Sequence, residues 1–279
     1  MSIVVDDAVY SPKDSQQRLP LQNFTGTISV VMPAYNEQFH ISNAIDETRR
    51  VLEESNCDYE IIVVDDGSTD NTFNEASKIS SIHEEVQVVK CNSNGGKGQA
   101  LKFGSNQARG DLIIFLDADL DLHPNQIHVL YQYLDNSGSD VVIGSKRHPL
   151  SKLDYPMHRK IISNTYYLLV KALFGLPIRD TQTGIKLFKK QVLEDVFPRV
   201  LVKRYALDLE LLAVAHHHGY KIVEAPIILD FQKRGRIRPK DVFQVLMDTM
   251  AIFYRLYISK YYDKSREQQL SKSFNKYSC

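Results

Sequence analysis

Asp117 and Asp119 close the apolar run Leu112, Ile113, Ile114, Phe115 and Leu116. Residues two apart on a strand point to the same side, so both carboxylates can converge on one cation. Hard oxygen donors suit Mg²⁺ or Mn²⁺, which complete their shells with water and substrate phosphates. A nucleoside diphosphate is the natural partner of such a pair. A lone Asp-x-Asp also fits an ordinary turn, so its meaning depends on what accompanies it.

Two further segments stop in the same manner. Ile28, Val30, Val31 and Met32 run into Pro33, Ala34, Tyr35, Asn36 and Glu37; Ile61, Ile62, Val63 and Val64 run into Asp65, Asp66, Gly67, Ser68, Thr69 and Asp70. In open α/β sheets such groups gather outside the carboxyl ends of the strands. A turn followed by a helix N-cap accounts for Ser68, Thr69 and Asp70. It does not account for the adjacent Asp65 and Asp66, whose mutual repulsion requires a nearby cation or hydrogen-bond donors. Asn94, Gly95, Gly96, Lys97 and Gly98 fit either of two readings: a loop whose backbone approaches a ligand, with Lys97 adding charge, or a Gly-rich turn with a solvated lysine.

Periodicity supplies the elements that must carry these groups. Strands are expected at 28–32, 60–65, 86–90, 112–117 and 140–144, and helices at 40–54, 71–80, 97–108 and 124–135. This alternation predicts an α/β fold with a mostly parallel central sheet flanked by helices.

Together, the strings VVMPAYNE, EIIVVDDGSTDNT, NGGKGQAL and IIFLDADLDLHP resemble the inverting glycosyltransferases of family 2. The resemblance spans roughly residues 27–240, and four ordered motifs are far more specific than one. It implies the GT-A nucleotide-diphospho-sugar fold. The later strings GSKRHP, RDTQTGIKLF, YALDLELL and GYKIVEAPI look closer to the polyprenyl-phosphate hexosyltransferases, the branch of the dolichyl-phosphate mannose and glucose synthases. By this resemblance Pro33, Tyr35, Glu37 and one or both of Asp65 and Asp66 hold the base and ribose, with Lys97 and Ala118 also on the donor side. Asp117 and Asp119 hold Mg²⁺ or Mn²⁺. Asp121 stands where many mannose synthases have Gln, and a carboxylate there can join the metal directly or through water.

The second half is expected to serve the acceptor. Runs such as Lys146, Arg147 and His148, or His158, Arg159 and Lys160, are commonly solvated faces. The resemblance instead makes Lys146, Arg147, Arg159 and Ser163 the seat of a polyprenyl phosphate, with Arg147 and Arg159 aiming its oxygen at the sugar. It also makes Arg234 or Arg236, in a loop over the donor, a partner of the leaving diphosphate. Asp180 to Gly184 fit a turn or, by resemblance, a pocket wall. Asp208 and Glu210 share a side only in a strand, not in a helix; they are the base candidates if the acceptor is a hydroxyl. His216, His217 and His218 are consecutive and read as surface or packing residues.

Lys233, Arg234, Arg236, Arg238 and Lys240 precede Val242, Phe243, Leu246, Met250, Phe253, Tyr254 and Tyr257, an apolar set at helical spacing. This is a basic amphipathic helix, suited to lie on a membrane or to pack on the catalytic domain or a second subunit. Asp248 and Arg255 interrupt it, so it falls short of the ~20 mostly apolar residues of a span.

The 279 residues carry 34 basic and 34 acidic side chains, so bulk charge gives no attraction to nucleic acid. Cys57, Cys91 and Cys279 lack metal-ligand spacing and fit thiols of a reducing compartment. Residues 1–26 read as a tail without the features of a secretory signal. The expected organisation is this tail, a GT-A catalytic domain at 27–232, the basic loop and amphipathic helix at 233–263, and a polar tail at 264–279.

The activity expected is hexose transfer from UDP-glucose or GDP-mannose to a polyprenyl phosphate, on the cytoplasmic face of a membrane and in a monomer or homo-oligomer. Extension of a cell-surface glycan through a hydroxyl is the enzymatic alternative. A non-catalytic nucleotide-sugar-binding scaffold is the third class, against which the intact Asp117 and Asp119 argue.

Overall fold

The computed structural model describes residues 21, 24–55, 57–153, 157–202, 206–229 and 239–263, with the side chains of 153, 157–162 and 239–241 outside the description. The first half alternates as its periodicity requires: β1 (Thr27–Ala34), α1 (Ile41–Glu53), β2 (Asp58–Asp65), α2 (Thr72–Ser80), β3 (Val86–Lys90), α3 (Lys97–Gln107), β4 (Leu112–Phe115), α4 (Gln126–Ser137) and β5 (Val141–Ser145). The second half adds β6 (Lys152–Leu153), α5 (Met157–Phe174), β7 (Lys186–Lys189), α6 (Lys190–Val196), α7 (Leu207–His217), β8 (Ile222–Pro226), β9 (Ile228–Leu229) and α8 (Pro239–Phe253).

Seven strands form the main sheet in the order β3-β2-β1-β4-β7-β5-β8. β7 alone runs antiparallel within it, between β4 and β5. Register aligns Ala34 with Asp65 and Val31 with Phe115, so the chain leaves β1, β2 and β4 along one edge. Because β7 is reversed, the turn that enters it arrives at that same edge.

The strands bury both faces, which is why they read as continuous apolar runs. Val30, Met32, Val63 and Ile114 pack with α1 and α4, including Ile45, Leu52, Ile127 and Leu130. Val31, Val64, Ile113 and Phe115 face the other way, with Leu101, Phe188, Phe197, Leu211 and Ile252. The result is a sheet between two helical layers.

Beyond α8 the chain tightens into a π-turn at Tyr254–Ile258 and a 3₁₀ turn at Tyr261–Asp263. Glu210, wholly buried, anchors this segment: Arg255 lies 3.0 Å from it and the Tyr262 hydroxyl donates to it. His217 contacts Asp263 at 2.5 Å, and His218 contacts Asp195 at 2.6 Å. Cys57 is a free thiol, whereas Cys91 is disulfide-bonded, which corrects the expectation of thiols throughout.

Candidate active site

The turns after β1 and β2 are stitched together by polar side chains. Asn36 adopts φ +58°, a left-handed conformation that Asn tolerates better than most residues. Its amide donates to Ser68 Oγ at 3.0 Å and its Oδ1 accepts from the Thr69 amide at 2.9 Å. The Glu37 amide donates to Thr72 Oγ1 at 2.8 Å. Tyr35 remains exposed two residues after Pro33.

Asp65 and Asp66 have separate partners, which explains how they coexist. Both oxygens of Asp66 accept backbone N–H groups, from Gly95 at 2.9 Å and Gly96 at 2.8 Å. The glycine loop thus gives these two amides to a carboxylate. Gly96 sits at φ +94°, a conformation that favours Gly, as it opens α3. Asp65 Oδ1 accepts from the Ser68 amide at 2.9 Å, while its fully buried Oδ2 has no hydrogen-bond partner among the described residues.

Lys97, at the start of α3, reaches Asp117 while part of its side chain stays open to solvent. Its ammonium lies 2.5 Å from Oδ1 and 2.8 Å from Oδ2. Burial opposes the charge of Lys97, but Asp117, Asp208 and Asp119 outweigh it and hold its pKa above the usual lysine value.

Two residues on, burial, Asp117 and Asp121 together push the Asp119 carboxyl up to about 6. Leu120, at φ +57°, reverses the chain so that the Asp121 amide donates to Asp119 Oδ1 at 3.1 Å. A left-handed Leu is costly, and such strain collects at functional turns.

Asp117 and Asp119 therefore fit a Mg²⁺ or Mn²⁺ ion: they are hard oxygen donors crowded into mutual repulsion that a cation would relieve. Among the described residues no three His, Cys, Asp or Glu side chains gather as a metal cage. Phosphate oxygens of a donor would have to complete such a shell.

Three residues that sequence reasoning had not singled out, or had placed only as a wall, shape this seat. At Gly184, a Cβ would fall 2.2 Å from Asp117 Oδ2, so only glycine lets the turn press against the acid. Lys186, buried in β7, lies 2.9 Å from Asp208 Oδ1. Asp180 accepts from the Lys146 amide at 3.0 Å and the Thr183 hydroxyl at 2.8 Å, tying the turn to the end of β5. The signal for Lys186 was present as a lone charge in the apolar run Ile185 to Phe188.

Arg147, just past the end of β5, is held in place by α5. Its guanidinium donates to Asn164 Oδ1 at 2.6 Å and Ser163 Oγ at 2.7 Å, and lies 4.9 Å from the Tyr167 ring centre. Among the described residues no carboxylate reaches it. Arg159 belongs to α5, but its side chain, like all of Arg234 and Arg236, lies outside the described residues.

The sequence profile of glycosyl transferase family 2 matches residues 29–197, more than half of the chain. The chain belongs to glycosyl transferase family 2. The dolichyl-phosphate beta-glucosyltransferase of Dictyostelium discoideum is 30% identical over 235 residues, covering 77% of this chain and 69% of that relative. The dolichol-phosphate mannosyltransferase of Pyrococcus furiosus is 30% identical over 226 residues, covering 78% of this chain and 61% of that one. Among solved structures, glucosyl-3-phosphoglycerate synthase of Mycobacterium tuberculosis, crystallised with Mn²⁺, UDP-glucose and phosphoglyceric acid, superposes with a TM-score of 0.65 at 21% identity. That likeness covers 88% of this chain and 86% of the synthase, and it is one of fold. The sheet and its flanking helices are thus the GT-A arrangement of this family.

Proposed function

We propose that this member of family 2 transfers glucose or mannose, with inversion, from UDP-glucose or GDP-mannose to a polyprenyl phosphate of the dolichyl type. The observation that carries the reading is Arg147, a guanidinium held by two side-chain oxygens and an aromatic ring, with no carboxylate to neutralise it among the described residues. Its planar fork suits phosphate. The names of the relatives point to the same acceptor and leave the sugar open.

In this mechanism Arg147 and Arg159 hold the lipid phosphate so that one oxygen attacks the anomeric carbon. The bond to the nucleoside diphosphate breaks as the new bond forms, and the electron pair leaves with the diphosphate. A phosphate monoester has a second pKa of about 6, so the nucleophile is largely ionised at neutral pH and needs no strong base. The occupation of the base candidates agrees with this: Glu210 is buried in the C-terminal anchor and Asp208 is paired with Lys186. Asp117 and Asp119 would hold Mg²⁺ or Mn²⁺, whose contribution when bound is to neutralise charge on the departing group. Lys97 and Arg234 or Arg236 add positive charge there. Tyr35, Pro33, Glu37 and Asp65 offer the base and ribose their contacts.

A peripheral seat on the cytoplasmic face of a membrane fits an acceptor of this kind. Among the described residues no helix is long and apolar enough to cross a bilayer. α8 and the turn after it expose Val242, Phe243, Leu246, Met247, Met250 and Tyr254, and Lys233, Arg234, Arg236 and Arg238 precede them in the sequence. The deciding experiment incubates purified protein with each nucleotide sugar, Mg²⁺ or Mn²⁺ and a polyprenyl phosphate, then extracts the lipid. A glycosylated lipid that disappears with chelator is expected. Transfer to a hydroxyl acceptor alone would overturn the proposal.

A further inference from the structure

Lys186 is 1% exposed in the middle of the main sheet. It stands in register with Phe115 on β4, two residues before Asp117, and with Ile143 on β5, the strand that leads to Lys146 and Arg147. Its ammonium has two partners: the Thr183 carbonyl, to which it donates, and Asp208 at the start of α7, 2.9 Å away. Between Thr183 and Lys186 the chain passes Gly184, whose backbone presses on Asp117.

Stability is a poor reason for a lysine here. Burying an ammonium costs several kcal/mol, and replacing a buried ion pair by apolar residues of similar volume is often neutral or stabilising. A cation can do what an apolar side chain cannot: attract a carbonyl and a carboxylate at once, and so set where both lie. The Thr183 contact fixes the turn against which Asp117 rests. The Asp208 contact supplies the counter-charge that keeps the ammonium in place.

We propose that Lys186 is a positioning residue for the donor seat: it holds the turn behind Asp117, with Asp208 as its counter-charge. This rests on the assignment of Asp117 to the metal and donor diphosphate, and not on the identity of the acceptor. Lys186 touches no substrate and acts through Asp117.

The test measures UDP and GDP binding by calorimetry with and without Mn²⁺, alongside circular dichroism, melting temperature and turnover. Lys186→Met should remain folded and bind nucleotide without Mn²⁺ as the wild type does. It should lose about tenfold or more of the affinity gained from Mn²⁺, the range expected when a group supporting a metal ligand is removed. Adding Asp117→Asn should then cause little further loss, because both changes act on one element.

The paired variant Lys186→Met with Asp208→Leu leaves no unpaired buried charge, and it carries the test if Lys186→Met fails to fold. Expected is a stable protein that still lacks the Mn²⁺-dependent gain. Recovery of that gain in the paired variant, or its full retention in folded Lys186→Met, would overturn the proposal. So would wild-type binding indifferent to Mn²⁺. A wild type that shows the gain but transfers nothing to a polyprenyl phosphate would sink the function proposed above and leave the role of Lys186 intact.

Discussion

Asp119 carries a conflict that can be measured. Burial, then Asp117 and Asp121, push its carboxyl up to about 6, whereas an unfolded Asp titrates near about 3.9. Between these values the folded state holds the extra proton, so stability falls as pH rises from about 4 to about 6. Asp119→Asn should therefore raise the melting temperature of chelator-treated protein at pH 7, by on the order of 2 kcal/mol in stability, and change it little at pH 4. The same variant should lose turnover by at least about a hundredfold, as expected for a ligand of an essential cation. Equal melting temperatures at pH 7, or full activity, would remove the acid from this role. Asp208 makes the opposite case. Asp208→Asn leaves the buried Lys186 without its counter-charge, at a cost on the order of 3 kcal/mol. Turnover in the folded variant should nevertheless stay within about tenfold, less than the loss of a general base entails. A fall of several orders of magnitude with donor binding preserved would favour a hydroxyl acceptor.

At the scale of elements, α5 holds the arginine proposed to seat the acceptor, and α4 holds a pH-sensitive side chain. Ser163, Asn164 and Tyr167 of α5 fix Arg147 at the end of β5. Arg147→Ala should raise the acceptor KM or lower kcat by about tenfold to a hundredfold, with nucleotide affinity nearly unchanged. Parallel loss of donor binding would move Arg147 to the other substrate. His128 of α4 is 1% exposed, and burial pushes its pKa down to about 4. An unfolded His protonates near about 6.5, so stability is fully present above that value and drains away as pH falls through 4. The loss is on the order of 3 kcal/mol. His128→Leu should flatten the melting curve over this window. Because Asp119 acts with opposite sign between about 4 and 6, the comparison is cleanest in Asp119→Asn protein. An unchanged slope would mean that His128 does not control it.

For the whole molecule, the question is what covers α8. Phe253 and Tyr257 belong to the apolar set that suits a membrane or internal packing; Phe253 is half-buried, its ring 6.2 Å from Phe174 and 5.0 Å from Tyr257, which is itself exposed. Arg255, read as an interruption of that set, turns inward to Glu210. The exposed ridge is instead Phe243, Met247, Met250 and Tyr254, and Phe243→Ser with Met247→Ser tests it without cutting the core. This double variant should stay folded and lose about tenfold or more of its binding to anionic vesicles, with salt weakening what remains. Unchanged sedimentation would assign the ridge to a second subunit or another partner, which its oligomeric state would reveal.

Much of this protein is written locally. Apolar periodicity and turn residues act over a few positions, which is why the first nine elements fall within a few residues of their expected bounds. The acids at the end of β2 and beyond β4 were legible for the same reason, since an apolar run that stops in paired carboxylates is unusual wherever it lies; β4 itself ends at Phe115, so Asp117 and Asp119 stand in the turn after it and not on the strand as expected. What those groups touch depends on residues far away in the chain. That Asp66 holds the glycine loop while Asp65 does not, that Lys97 rests on Asp117, and that Asp208 and Glu210 diverge to opposite duties all follow from how strands and helices assemble. The reversed β7 is the clearest instance. Its four residues show no sign of direction, yet its insertion between β4 and β5 brings Gly184 and Lys186 to the side of Asp117 and Asp208. Only the packed sheet decides this, because the cost of burying a charge is set by its neighbours in space and not by those in sequence.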